Sequence, residues 1–123
     1  QALVKPLDLT EKPLNFIEVD TQRFPAISLA RQALKSGGSA PTILNAANEV
    51  AVQAFLDRQI SFSAIAETNE AVLEAHLRRC GGESLESLSD VLRADAWARS
   101  TTRERLDLPQ EREARPVLNE AAP

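Results

Sequence analysis

The stretch "PTILNAANEVAVQAFLDR", residues 41 to 58, constrains the fold more than any other part of the chain. Ile43, Leu44, Val50, Val52, Phe55 and Leu56 point in several directions around a helix. A helix that is apolar on most sides must be covered on most sides. It therefore predicts a central helix enclosed by others. The chain has 123 residues, enough for one domain with a modest core. Hydrophobic residues make up 43% of it but aromatic residues only 4%, which favours closely packed helices over stacked sheets.

Three further segments carry helical periodicity. Residues 24–36, "FPAISLARQALKS", place Ala26, Ile27, Ala30, Ala33 and Leu34 on one side. Pro25 suits the first helical position, and Gly37 and Gly38 suit the left-handed positions beyond the end. Residues 62–78 follow Ser61 as a predicted N-cap, with Ile60 and Ile65 forming a hydrophobic staple. Phe62, Ile65, Ala66, Asn69, Val72, Leu73 and Leu77 form the expected inner face. Glu67, Glu70 and Glu74 form a solvated outer one. The "CGG" at 80–82 ends this helix. Residues 87–108 read as a fourth helical region anchored by Leu88, Val91, Leu92, Trp97 and Leu106. Asp95 could cap a second piece within it.

The flanks read differently. Pro6 and Pro13 exclude a helix over residues 1–20, and Leu14, Phe16 and Val19 predict one short strand with no sheet to join. The tail from Pro109 is charged and expected to be mobile. The division is then an extended linker at 1–23, a helical bundle at 24–108 and a tail at 109–123. The fold class is all-α, a bundle of about four helices. The chain starts at Gln1 and contains no Met, which reads as a piece of a longer protein.

Charge and composition exclude several functions. The formal net charge is -4. Residues 1–60 carry six basic and six acidic groups, and residues 61–123 carry eight and twelve. Neither half offers the dense basic surface that nucleic acid requires. No apolar run approaches the roughly 18 residues of a membrane span. The lone Cys80 fits a reducing cytoplasm.

Residues with chemistry are few. The four glycines form two pairs at helix ends and match no phosphate-binding loop. His76 and Cys80 are too few for zinc, and His76 is expected at the surface near a helix C-terminus. Cys80 lacks the base that a nucleophile needs. Asn45, Asn48 and Glu49 stand out within the apolar helix. At about 100° per residue they share one side with Val52, Phe55 and Leu56. That predicts partial burial, and buried amides and carboxylates need hydrogen bonds. The expected partners are backbone groups of the first helix and the Gly37–Ser39 turn. The trio reads as a polar seam fixing helix register, or as part of a site shared with a domain outside this chain.

"RFPAISLARQALKSGG" followed by "PTILNAANEVAVQAFLDRQISFSAIAETNEAVLEAH" resembles the C-terminal region of the 1-deoxy-D-xylulose-5-phosphate reductoisomerases. "LDLTEKPLNFIEVDTQRFP" resembles the linker into that region, and "DVLRADAWAR" its final helix. The resemblance covers about residues 5 to 106. It implies a parent oxidoreductase of non-mevalonate isoprenoid biosynthesis. That enzyme uses NADPH and Mg or Mn to turn 1-deoxy-D-xylulose 5-phosphate into 2-C-methyl-D-erythritol 4-phosphate. The parent is implied to be a cytoplasmic homodimer whose catalytic domain is this bundle's partner. The family's nucleotide loop, its Asp-x-Glu metal motif and its Asn-Lys substrate pair are missing here. The resemblance therefore assigns no catalytic, cofactor-binding or metal residue to this chain, and the chain alone is expected to be inactive. Arg23, Phe24 and Pro25 stand at the junction with the missing catalytic domain. A free-standing helical interaction module is the alternative, and a carboxylate metal protein built on Asn45 and Glu49 is a third reading.

Overall fold

The computed structural model describes residue 10, residues 14–80 and residues 85–110. Four helices account for most of these: α1 (Ala26–Ser36), α2 (Ala40–Leu56), α3 (Phe62–Cys80) and α4 (Leu88–Arg105). The expected all-α bundle is the observed one. Pro6, Pro13, the Gly81–Gly82 break, Glu83 and the charged tail from 111 onward lie outside the described residues.

α2 is the hub, packing against α1, α3 and α4. Its buried residues are Ala40, Ile43, Ala46, Ala47, Val50, Ala51 and Ala54. Alanine lets neighbouring backbones approach closely, so three helices can surround α2 with few large side chains on its own buried positions, Ile43 and Val50. Ile43, Ala46, Ala47, Val72 and Ala98 form one core cluster, with Ala94 and Trp97 packed against it. Ala33, Ala40 and Leu73 form a second, flanked by Leu44 and Leu77.

The helix ends follow local chemistry. Asp20 turns the chain into α1: its Oδ1 accepts from the Gln22 and Arg23 amides at 3.1 and 2.9 Å, and its carbonyl accepts from Phe24 at 2.9 Å. Pro25 sits at the cap of α1, one position earlier than expected. Gly37 and Gly38 have φ of 68° and 52°, the positive values that their type allows. Pro41 lies in the first turn of α2, which begins at Ala40. Ser61 caps α3, its Oγ accepting from the Ala64 amide at 3.3 Å. Ser87 opens α4 with a capping box: the Asp90 amide donates to Ser87 Oγ at 3.3 Å, and the Ser87 amide returns a bond to Asp90 Oδ2 at 2.9 Å.

Several expectations are corrected. α4 is one continuous helix, because the Asp95 carboxylate is engaged by Arg99 and caps nothing. Leu88 and Leu92 are exposed, while Ala98 and Thr102 are the buried residues of α4. Small residues win the inner face because α4 lies close to α2. Thr102 hides its hydroxyl by donating to the Ala98 carbonyl at 2.7 Å. Phe62 is also exposed, and its ring meets that of Phe55 edge-on with centroids 5.7 Å apart. Residues 14–20 form no strand. A strand needs a partner, and none exists among the described residues. Phe16 and Ile17 are consequently 91% and 89% exposed.

Candidate functional site

The polar trio of α2 lies on the surface, against the expected partial burial. The three share one arc of α2, but the alanines on the other side of the helix carry the burial. Phe55 is half-buried and Leu56 exposed, so the strip they continue also faces outward. The partners differ too. Asn48 Oδ1 accepts from Asn69 Nδ2 of α3 at 2.9 Å. Asn45 Nδ2 donates to Glu49 Oε1 at 2.9 Å, and Arg99 of α4 donates to Glu49 Oε2 at 2.5 Å. Arg99 also grips Asp95 through Nε at 2.7 Å and Nη2 at 3.2 Å. Side chains of α3 and α4 thus take the place of α1 backbone and the Gly37–Ser39 turn.

This rim network sets its own charge states. Arg99 and then Asn45 donate to Glu49, holding its carboxyl below the usual value of 4.5. The two carboxylates raise the Arg99 guanidinium in turn, Asp95 ahead of Glu49. Glu49 is therefore ionised at neutral pH, where its charge pairs with Arg99. Both Glu49 oxygens accept from groups of the bundle itself, one from Asn45 and one from Arg99.

A second cluster forms where the C-terminal turns of α3 meet the start of α2 and the middle of α4. His76 is buried, contrary to its expected surface position. Its Nε2 shares a 2.8 Å hydrogen bond with Ser39 Oγ, and its ring lies 5.6 Å from that of Trp97. Arg79 places its guanidinium over Trp97, 5.6 Å from the centroid. Cys80 is half-buried at the last position of α3. Ser39 and His76 are 37 residues apart, so no local pattern announces their meeting. Arg99 could have been found, since Asp95 precedes it by four residues on one helix.

Among the described residues, no group of three or more His, Cys, Asp or Glu could hold a metal ion. The residues described therefore do not fit the divalent metal that the family resemblance implies. The described helices also carry no glycine-rich loop for a dinucleotide.

A sequence profile described as the DXP reductoisomerase C-terminal domain matches residues 1–101. The chain belongs to this C-terminal domain family. The 1-deoxy-D-xylulose 5-phosphate reductoisomerase of Trichlorobacter lovleyi is 49% identical over 102 residues, which is 82% of this chain and 25% of that protein. The enzyme of that name from Acinetobacter baumannii strain ATCC 17978 is 50% identical over 105 residues, again 25% of its length. A solved structure of the Zymomonas mobilis reductoisomerase in complex with NADPH superposes with a TM-score of 0.73 at 37% identity. It covers 87% of this chain and 28% of its own. The chain thus spans about a quarter of the reductoisomerases it matches. No helix among the described residues is long and apolar enough to cross a membrane.

Proposed function

We propose that this chain is the C-terminal helical part of a 1-deoxy-D-xylulose-5-phosphate reductoisomerase. The parent enzyme isomerises and reduces 1-deoxy-D-xylulose 5-phosphate to 2-C-methyl-D-erythritol 4-phosphate with NADPH and a divalent metal, in the cytoplasm, as a homodimer. The bundle braces the catalytic part of its own polypeptide and carries none of the chemistry alone. One observation carries this reading: relatives of that name match over 82–85% of the chain, yet only a quarter of each is covered. The bundle's polar groups agree with a bracing role, since Asn48, Glu49 and Arg99 are used in ties between helices.

The exposed apolar stretch Leu14, Phe16, Ile17 and Val19 supports a partner outside the chain. Both faces of an extended segment at 14–19 carry apolar residues. Such a segment suits a sheet edge covered on both sides. Incubation of the isolated chain with substrate, NADPH and Mn should give no NADPH oxidation above background. Supplying the full-length polypeptide should restore it. Turnover by the isolated chain would sink the bracing role.

A further inference from the structure

Of residues 14–38 only Leu29 and Ala33 are buried. Ala33 packs with Ala40 and Leu73. The other three helices are fastened to one another in a different way. Asn69 of α3 donates to Asn48 of α2 at 2.9 Å, Ser39 at the cap of α2 shares its 2.8 Å bond with His76 of α3, and Arg99 of α4 donates to Glu49 of α2 at 2.5 Å. The Trp97 ring of α4 lies against that of His76. Among the described residues, no side-chain hydrogen bond, ion pair or ring contact joins α1 to α2, α3 or α4. The turn before α1 adds no tie, since its bonds run from Gln22, Arg23 and Phe24 back to Asp20. α1 has 11 residues, a length at which a helix in water is marginal without a partner.

The boundary between the two kinds of fastening falls at Gly37 and Gly38. Both take positive φ, and a Cβ placed on Gly37 would meet nothing within 4 Å. Glycine turns about its backbone bonds more freely than any other residue, and no neighbour crowds this one. The next buried residue, Ser39, is 3% exposed and pinned by His76. We propose that residues 14–38 are an arm that opens as one unit about Gly37–Gly38 while α2, α3 and α4 stay folded. Opening exposes Leu29 and Ala33 and uncovers the Ala40 and Leu73 that Ala33 packs against. Unfolding the remainder costs far more, because it exposes Ile43, Ala46, Ala47, Val72 and Ala98 and breaks all three bonds between helices. Segments with few buried apolar contacts open at lower free energy than a core. The Ser39–His76 bond is the fixed side of the joint. The arm carries the exposed Phe16 and Ile17, so this apolar stretch can change direction relative to α2–α4 without disturbing their packing.

Native-state hydrogen exchange of the 123-residue chain at low denaturant tests this. The amides of residues 30–36 should share one opening free energy and exchange at least about tenfold faster than the slowest amides of α2 and α3. Ile43→Val separates local from global opening, because Ile43 is fully buried in a cluster drawn from α2, α3 and α4 alone. The substitution should speed the slowest α2 and α3 amides by about twofold to tenfold and leave residues 30–36 unchanged. Equal acceleration of both sets overturns the proposal, since α1 then opens only when everything does. A graded rise in exchange along α1 overturns it too, because fraying and not a unit opening would explain that pattern. Leu29→Asp should strip protection from residues 30–36 while the slow amides of α2 and α3 stay protected. If Leu29→Asp unfolds the whole chain, α2–α4 does not stand without the arm and the proposal fails.

Discussion

Arg58 closes α2 in a left-handed conformation, φ 61°, with the Gln59 amide donating back to the Ala54 carbonyl at 2.8 Å. A side chain costs roughly 1–2 kcal/mol in that region, and glycine does not. Arg58→Gly should therefore stabilise the bundle by about 0.5–1 kcal/mol after glycine's extra unfolded-state freedom is subtracted. Thermal unfolding would show it as a rise of about 2–8 °C for a domain of this size. Asn48→Leu removes the acceptor for Asn69 Nδ2, leaving a buried amide with neither end paired. The cost should be about 1–3 kcal/mol, read from a denaturant midpoint. An unchanged midpoint would mean water replaces Asn48. Glu49 gives a pH signature. Its folded-state pKa is depressed, so its contribution is complete above the unfolded value of about 4.5 and is lost as pH falls through the folded value. Stability of Glu49→Gln should accordingly lose less than wild type between pH 5 and acid, and the two curves should converge at low pH. The trio's position on one arc was legible in the sequence. Its exposure was not, because Ala46, Ala47, Ala51 and Ala54 look too small to define a buried face until neighbouring helices close on them.

At the scale of elements, boundaries written in local chemistry were readable, and those decided by packing were not. Ser61 as a cap, Gly37 and Gly38 as a stop, and the acidic outer face of α3 all match the structure. The start of α4 at Ser87 has its own capping box, which the sequence displays as Ser-x-x-Asp. Ser87→Ala should cost about 1 kcal/mol and let the first turn of α4 fray, seen as faster exchange of the Asp90 and Val91 amides. Leu88 and Leu92 misled because large apolar residues usually anchor a helix. Here Ala98 and Thr102 are the residues of α4 that are buried, with Ala94 and Trp97 packed beside them. His76 was placed outside because its partner, Ser39, comes from another helix junction 37 residues away.

Over the whole molecule, a hub of alanines makes stability sensitive to added volume. Ala46, Ala47 and Ala51 are fully buried with helices on several sides. Ala47→Leu should cost about 1–3 kcal/mol through overpacking, whereas Leu34→Ala at an exposed position of α1 should be nearly neutral. Calorimetry on the two variants would check the contrast. The fold class and the family membership were both legible in the pattern of segments. The meeting of Ser39 with His76 was not, since it arises from packing rather than from any run of residues.

The stretch at 14–19 has a consequence inside a cell. Phe16 and Ile17 stand almost wholly in solvent. Chaperones that hold unfolded chains select extended apolar stretches, and proteases enter where such stretches are accessible. A chain that displays such a stretch would therefore carry its own degradation tag. Phe16→Ser with Ile17→Ser should accordingly lengthen the lifetime of the chain in a pulse-chase experiment.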